Sequence, residues 1–408
     1  MKIGIIATFL GQQTSGAEIS AYLLASNLKN DHEVFVVTTK VTTDMPFRCY
    51  TLPFTKHLPN LLLLIGSKLL DKLMEKELCR LFKKEKPDLI HVQDPSIMIA
   101  SIKAARRLNI PVITTIRDYR FSCNLSIPLE QGIIPFQHTK KEYQSWLKES
   151  LLQSNRPTWL TPFLFPWFYS QNKRLRNYSK KFDYYITVSD FVKNQLIKAG
   201  IPTNKIETIK VQRPDWELLP DSAEKEEKVI FTAGGLKATK GFDFLIESLR
   251  LVVNKHPQVK LRIAGEGSNK EKLIQLTKKL DLENNVQFIG RISYEQMRKE
   301  YGNSTFVVSP SLWPEPLTRI IFETFAMKKT IIATDVGGSS ELVIPNQTGL
   351  LVRPRDNEGL AAAMSKMLEK DKWRNWLADE AYRLINKECN NEKVIVSHLN
   401  VYKKLTLK

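Results

Sequence analysis

Short apolar runs alternate with amphipathic stretches along almost the whole chain. The apolar runs have the length and β-branched content of buried strands, and the stretches between them repeat apolar residues at helical spacing. Strands that alternate with helices predict parallel sheets covered on both faces, which is an α/β fold of the doubly wound type. The predicted strands are 3–8, 33–38, 89–93, 112–116, 184–188 and 206–211 in the first half, and 229–233, 260–264, 286–289, 305–308 and 330–333 in the second.

The alternation occurs twice, on either side of a polar stretch with two prolines and a run of acids. A chain of 408 residues is too long for one ordinary core. Ligands of doubly wound sheets bind at the carboxyl ends of the strands, so we expect a site in a central cleft between two facing domains. The predicted parts are an N-terminal Rossmann-like domain (1–212), a linker (213–228), a C-terminal Rossmann-like domain (229–384) and a final helical segment (385–408).

Two acids lie around one predicted helix N-terminus. Prolines on both sides of Glu315 end the preceding strand, and the apolar spacing from Leu317 to Lys328 predicts a helix with Glu323 about two turns in. The first turn of a helix suits a phosphate, and carboxylates beside it suit hydroxyls. A sugar nucleotide has that layout of sugar, diphosphate and ribose. Two solvated surface acids are the alternative interpretation.

Several motifs extend this interpretation. The spacing of Glu315 and Glu323 resembles the E-x7-E signature of retaining GT-B glycosyltransferases of family 4, also called glycosyl transferases group 1. Gly234–Gly241 resembles that family's G-R-L-x-x-x-K-G, and Asp335–Glu341 resembles its D-x-G-G-x-x-E. Residues 349–352 and 15–18 fit as well. Ordered motifs carry more weight than any one of them alone.

The resemblance implies a GT-B fold and retaining transfer of a sugar from a UDP-sugar or GDP-sugar to a hydroxyl acceptor. In this family the last helix returns to the first domain. The implied catalytic residues are Glu315, Lys240 and Arg117. The implied donor-binding residues are Gly16, Gly234, Gly235, Gly265, Arg291, Leu317, Thr318, Arg319, Glu323, Gly337 and Gly338. The implied acceptor-side residues are Glu18, His91 and Asp118.

The sequence departs from the family pattern at three positions. Gly235 replaces an arginine that would help to balance the leaving diphosphate, and the possible substitutes are Arg319, Lys237 and Arg291. Arg117 stands where a histidine is usual. An arginine cannot accept a proton, so we expect it to stabilise phosphate charge and not to act as a base. Thr318 replaces a glycine, which would crowd the sugar. For His91, a structural role is the more ordinary interpretation.

The mechanism expected from the resemblance is departure of the diphosphate from the face that the acceptor enters, with a diphosphate oxygen taking the acceptor proton. Glu315 would hold sugar hydroxyls, and Lys240 would stabilise the leaving group. The chain contains no Asp-x-Asp motif, whose carboxylates usually coordinate a metal ion bound to the diphosphate. We therefore predict a metal-independent enzyme that needs no cofactor besides its donor substrate.

The positive charge is unevenly distributed. The net formal charge is +18, of which residues 1–212 carry +13. Residues 150–182 contain no acid, and their basic side chains interleave with aromatic ones. This composition suits an anionic membrane surface and predicts a lipid-linked or cell-envelope glycan as acceptor. Aromatic residues that fill the core of the first domain are the alternative.

The chain begins with an apparent strand and has no long apolar run, so we expect a cytoplasmic protein with peripheral attachment to the inner face of the plasma membrane.

Other classes of protein fit the sequence less well. Four scattered cysteines suggest neither a zinc site nor a disulfide framework. No nucleic-acid-binding motif accompanies the basic charge, so no nucleic acid partner is expected. A non-catalytic sugar-nucleotide-binding relative and a GT-B epimerase remain alternatives.

Overall fold

The computed structural model describes residues 1–10, 16–41, 45–52, 68–119, 140–153, 157–219 and 228–407. The chain forms two compact units. One takes in the chain up to Val211 and the segment from Val394 onward, and the other spans Gln212–Lys393. Ser15 of the 15–18 motif, Arg156 of the basic segment and half of the predicted linker (220–227) lie outside the described residues.

The first unit is built on a seven-stranded parallel sheet. Its strands are β1 (Lys2–Ile6), β2 (Glu33–Thr38), β3 (Arg48–Thr51), β4 (Leu89–Val92), β5 (Val112–Ile116), β6 (Tyr184–Thr187) and β7 (Ile206–Thr208). Their order is β3-β2-β1-β4-β5-β6-β7. The helices up to β7 are α1 (Gly16–Leu28), α2 (Lys68–Glu85), α3 (Met98–Arg107), α4 (Lys140–Gln153), α5 (Thr161–Ser179) and α6 (Asp190–Lys198). Two short strands, Phe9–Leu10 and Lys40–Val41, pair separately.

The second unit contains a six-stranded parallel sheet. Its strands are β8 (Val229–Ala233), β9 (Lys260–Ala264), β10 (Val286–Gly290), β11 (Phe306–Ser309), β12 (Ile331–Thr334) and β13 (Gly349–Val352). Their order is β10-β9-β8-β11-β12-β13. Its helices are α7 (Phe242–Val253), α8 (Lys270–Lys279), α9 (Tyr294–Asn303), α10 (Arg319–Ala326), α11 (Asn357–Glu369) and α12 (Asp371–Glu388).

The last helix, α13 (Asn391–Thr406), packs largely into the first unit. Val394, Val401 and Tyr402 are buried in the same cluster as Ile3 of β1 and Val36 of β2. An apolar stripe at spacings of three, four and seven residues is the pattern by which a helix covers a sheet. The core of the first unit therefore includes side chains from both ends of the chain.

Local sequence explains where many of these elements begin and end. The side chain of Ser293 accepts a hydrogen bond from the backbone N–H of Gln296 at 3.2 Å, and the Gln296 side chain accepts from the Ser293 backbone N–H at 2.9 Å. This reciprocal capping box starts α9. Helix α6 starts in a related way, because Ser189 accepts from the Val192 N–H.

The predicted alternation of strands and helices is confirmed, and the predicted bounds of β2, β5, β8 and β9 match the structure. Two edge strands, β3 and β13, were not predicted, because each has four residues and only partial burial. The helix expected at 317–328 is shorter and begins only at Arg319. The residues before it form the loop that carries Glu315.

The strand order of each sheet reverses once in its interior. In the first sheet the reversal lies between β1 and β4, and in the second between β8 and β11. Connections on the two sides of such a reversal leave in opposite directions and open a crevice at the carboxyl ends of the strands. A ligand site is therefore expected at the loops after β8 and β11.

Of the described helices, none is both long enough and apolar enough to cross a bilayer.

Candidate functional site

The reversal point of the second sheet brings two of the sequence motifs into contact. The loop after β8 contains Thr239 and Lys240, and the loop after β11 contains Glu315. The backbone carbonyl of Thr239 accepts hydrogen bonds from the N–H groups of Leu312 at 2.9 Å and Trp313 at 3.1 Å. The ammonium group of Lys240 forms an ion pair with Glu315 Oε1. Backbone hydrogen bonds and an ion pair therefore connect the two loops.

Two glycines allow these loops to approach so closely. Gly241 has φ +66°, and a side-chain carbon there would lie 2.0 Å from the carbonyl oxygen of Pro310. Gly337, after β12, has φ +60°, and a carbon there would lie 2.0 Å from the carbonyl oxygen of Glu315. That same oxygen accepts the N–H of Gly338 at 2.8 Å. Any larger residue would push the Glu315 loop away.

The two carboxylate oxygens of Glu315 have different surroundings. Oε1 receives both the Lys240 ammonium and the hydroxyl of Ser311, which lies 3.0 Å away. No described residue donates a hydrogen bond to Oε2. The side chain is nearly buried, so the carboxylate is held in one orientation with one oxygen available. An oriented acceptor of this kind suits a ligand hydroxyl.

Sequence reasoning missed Ser311. This serine is buried, and its hydroxyl lies 3.3 Å from the N–H of Trp313, which donates to it. Its carbonyl accepts from the hydroxyl of Thr334 at 2.5 Å. The only signal in the sequence is a serine four positions before Glu315, which is too common a pattern to single out.

Glu323 lies on α10 and is buried. Its Oε1 accepts from Arg319 Nε at 3.2 Å, and its Oε2 accepts from the Tyr301 hydroxyl at 2.8 Å. Burial first, and then the charge of Glu323, raise the pKa of Tyr301 well above its ordinary value, so the phenol remains a donor. Each carboxylate oxygen can accept a second hydrogen bond. Glu323 is therefore held by its own unit and retains capacity for a ligand hydroxyl.

Helix α10 presents its N-terminus at the end of the Glu315 loop. Thr318 occupies the N-cap position, but its side chain makes no capping hydrogen bond. Leu317 and Thr318 are half-buried. The first N–H groups of a helix have no partner within the helix, and the helix dipole adds a partial positive charge there. This end of the helix can receive an anion.

The other predicted donor-side residues also lie at the carboxyl edge of the second sheet. Gly234 and Gly235 follow β8, Gly265 follows β9, and Arg291 follows β10. A side-chain carbon added at Gly235 would meet no atom within 4 Å.

The structure also distinguishes the three cations that could replace the arginine missing at position 235. Arg319 is already bound to Glu323. Lys237 and Arg291 are exposed. Two cations are therefore open to solvent on this edge of the sheet, and a third is tied to a carboxylate.

In the first unit, the predicted residues other than His91 lie around the corresponding edge of its sheet. Arg117, after β5, donates a hydrogen bond to Gln93 Oε1 after β4. Asp118 follows Arg117 and is half-buried. Gly16 and Glu18 lie in the first turn of α1. The structure thus brings Arg117 together with Gln93, a residue that the sequence did not single out.

His91 lies in the core and not at the edge of the sheet. Its Nδ1 is 2.7 Å from the Tyr402 hydroxyl of α13, and its Nε2 is 2.7 Å from the Thr115 hydroxyl. Burial, followed by the nearby charges of His398 and Arg117, holds the pKa of His91 well below its ordinary value. The imidazole is neutral, and both nitrogens are engaged, which fits the structural interpretation left open above.

Comparison with known families covers most of the chain. Residues 14–210 match the model described as Glycosyltransferase Family 4. Residues 215–384 match the model described as Glycosyl transferases group 1. The two matches meet near the division between the two compact units.

Individual relatives and solved structures agree with these matches. An uncharacterized glycosyltransferase of Methanocaldococcus jannaschii is 26% identical over 180 residues, which are 44% of this chain and 46% of that protein. The chain spans about half the length of the curated relatives it matches.

Two solved structures extend over nearly the whole chain. Sucrose-phosphate synthase from Thermosynechococcus elongatus superimposes with a TM-score of 0.76 at 18% identity, over 99% of this chain and 98% of that one. Anabaena Alr3699/HepE in complex with UDP-glucose gives a TM-score of 0.71 at 18% identity, over 98% and 100%. At such low identities these likenesses bear on the fold alone. With two Rossmann-like units and a family match to each, the chain belongs to the group 1, or family 4, glycosyltransferases and has the GT-B fold.

Proposed function

We propose that the protein transfers a sugar from a nucleoside diphosphate sugar to a hydroxyl acceptor, with retention of configuration at the anomeric carbon. The observation that carries this proposal is the Lys240–Glu315 ion pair at the reversal point of the second sheet. In this pair, Lys240 supplies a cation that can bind a diphosphate, and Glu315 supplies an oriented carboxylate that can accept from sugar hydroxyls. The N-terminus of α10 follows in the same loop. The family match supports the same conclusion.

In the proposed step, the bond between the anomeric carbon and the diphosphate oxygen breaks, and a bond to the acceptor oxygen forms on the same face. The acceptor proton passes to the leaving diphosphate oxygen, so no protein base is required. Lys240 and the N-terminus of α10 offset the charge that develops on the leaving group. Glu315 Oε2 holds a sugar hydroxyl, and Glu323 a ribose hydroxyl. Arg117 contributes a positive charge for phosphate.

We propose a hexose donor activated by UDP. Support comes from the relatives, because Anabaena HepE was crystallised with UDP-glucose. A thermal-shift panel of UDP-, GDP- and ADP-sugars tests this choice. A UDP-sugar should raise the melting temperature most. NMR of the product formed from an α-linked donor then tests retention, and a β-linked product would contradict it.

We further propose that transfer needs no metal, because the sequence lacks an Asp-x-Asp motif. Turnover should then be equal in EDTA and in Mg²⁺. A loss of activity in EDTA that Mg²⁺ restores would contradict this part of the proposal.

The proposed acceptor is a lipid-linked or cell-envelope glycan, as in polysaccharide biosynthesis, with the protein attached peripherally to the inner face of the plasma membrane. The acid-free basic and aromatic composition of residues 150–182 supports this location. Incubation with labelled donor and membrane extracts tests it. Label should appear in a lipid-extractable or polymeric product.

A second candidate is a non-catalytic sugar-nucleotide-binding protein, which the glycine at position 235 favours. It would bind the donor with neither transfer nor hydrolysis. An epimerase of the same fold would instead convert one donor sugar into another without an acceptor. Chromatography of a donor incubated with and without acceptor separates all three.

A further inference from the structure

Three aromatic residues of α5 and the turn before it face solvent, whereas Phe168 is buried and Phe165 and Tyr169 pack against its cluster. Helix α5 packs on α4 through a small cluster of Leu147, Leu151 and Phe168. On the opposite side, Trp159 is 67% exposed, Phe163 74% and Trp167 40%. The three residues are four positions apart, and the rings of Trp159 and Phe163 are in edge-to-face contact at 6.3 Å. They form one apolar stripe, the α5 stripe, that faces solvent.

Helix α2 also carries exposed apolar side chains. Asp71 of α2 forms an ion pair with Arg174 of α5, which holds the two helices together. Leu69 and Leu73, two positions before and after Asp71, are 68% and 43% exposed. Both leucines lie on the side of α2 away from Asp71, so they are separate from the α5 stripe. Within the α5 stripe, exposed aromatic rings in mutual contact are rare on a soluble surface unless they contact something.

Exposed lysines follow the α5 stripe along the chain. Lys173 is exposed ten positions after Phe163, about 15 Å further along the helix. Lys180 and Lys181 follow at the helix end and are also exposed. No acid occurs between residues 150 and 182. The exposed side chains are therefore aromatic at the start of α5 and cationic toward its end.

We infer that the α5 stripe inserts into an anionic lipid bilayer, with the three aromatic rings at the level of the upper acyl chains and the lysines over the headgroups. Aromatic rings are favoured at that depth, and lysines can extend their ammonium groups back to the phosphates. A protein partner could cover the rings equally well, but the charged side chains of α5 itself are all basic, which matches a lipid surface better. The inference rests on the proposed peripheral location and assigns it to specific residues.

Vesicle flotation tests the inference with the whole chain. The wild-type protein should float with vesicles that contain phosphatidylglycerol and remain unbound with phosphatidylcholine alone. Added salt should weaken the binding because it screens the lysines. The triple variant Trp159→Ser, Phe163→Ser, Trp167→Ser should lower the bound fraction at least about tenfold.

A matched control removes apolar side chains elsewhere on the surface. Leu251, Trp376 and Val396 are 46%, 46% and 49% exposed. Their triple replacement by serine should leave flotation unchanged. Equal flotation of the wild type and the α5-stripe variant, or an equal loss in the control, would overturn the inference.

Fluorescence quenching reports insertion directly. Brominated lipids quench tryptophans that reach the acyl chains, so vesicle binding should quench part of the wild-type emission. The variant Trp159→Phe, Trp167→Phe should still float but lose this quenching. Unchanged quenching in that variant would mean that other tryptophans insert and would overturn the assignment.

Two outcomes separate this inference from the proposed function. A wild type that floats but neither transfers nor hydrolyses any donor would refute the function and leave the lipid surface standing. An absence of vesicle binding even at low salt would refute the lipid surface, whatever the turnover. A dimer in sedimentation that the α5-stripe variant abolishes, without vesicle binding, would identify a second copy as the partner instead.

Discussion

Lys240 and Ser311 donate hydrogen bonds to the same oxygen of Glu315, although they come from loops after different strands. Oε1 of the carboxylate is thereby occupied, and Oε2 is available to a ligand. A ligand that enters meets a carboxylate already fixed in direction. Fixing a group in this way before the substrate arrives is one of the main sources of catalytic rate.

Replacing Glu315 by glutamine should lower turnover by about 100-fold or more, because the charge opposite Lys240 and one hydroxyl acceptor are lost. Steady-state kinetics with the best donor measures this, and circular dichroism checks that the fold is intact. Turnover equal to that of the wild type would refute the role of Glu315.

Replacing Lys240 by alanine should weaken the binding of UDP and of the UDP-sugar alike, because both carry the diphosphate. We expect a loss of about tenfold or more in affinity by calorimetry. The exposed lysine at position 255, which pairs with Glu369 away from the Glu315 loop, is a suitable control. Unchanged affinity in Lys240→Ala would exclude a diphosphate contact.

Replacing Ser311 by alanine should lower turnover about tenfold, because Glu315 loses a hydrogen bond that orients it. The affinity for UDP should stay the same, since UDP lacks the transferred sugar whose hydroxyl Glu315 would hold. A general loss of structure would reduce both. A parallel decline in UDP affinity and turnover would therefore contradict a positioning role.

Introducing arginine at Gly235 should strengthen diphosphate binding several-fold, by about 1 kcal/mol. The position has room for a side chain, and an arginine there would restore the charge that the family pattern has. Gly235→Gln is the neutral control of similar size. Equal affinity of the two variants for UDP would show that the cation has no role.

Gly337→Ala should lower the free energy of unfolding by about 2 kcal/mol, because its φ is +60° and the added carbon would meet the Glu315 carbonyl at 2.0 Å. Gly235→Ala is the control and should change stability little, since nothing lies near that position. Chemical denaturation of both variants measures the difference. Equal stabilities would contradict the packing described for the Glu315 loop.

The sequence alone predicted the two sheets and the loops that meet in the second one, because buried strands and glycine-rich turns have strong local patterns. It did not predict β3 or β13, whose short edge strands carry little periodicity. It also could not distinguish the two oxygens of Glu315, since Ser311 and Lys240 reach that side chain through the packing of separate loops. The Tyr301 partner of Glu323 could not be predicted for the same reason, because Tyr301 lies 22 positions earlier in the chain.

The placement of α13 has a practical consequence for any attempt to divide the protein. A fragment that stops at residue 211 would lack Val401 and Tyr402, which fill the core beside Ile3, and would leave His91 Nδ1 without its phenol partner. Genetic truncation would thus expose an apolar cavity where a helix belongs. An intact amino-terminal half requires a rearranged gene in which α13 is joined directly to it.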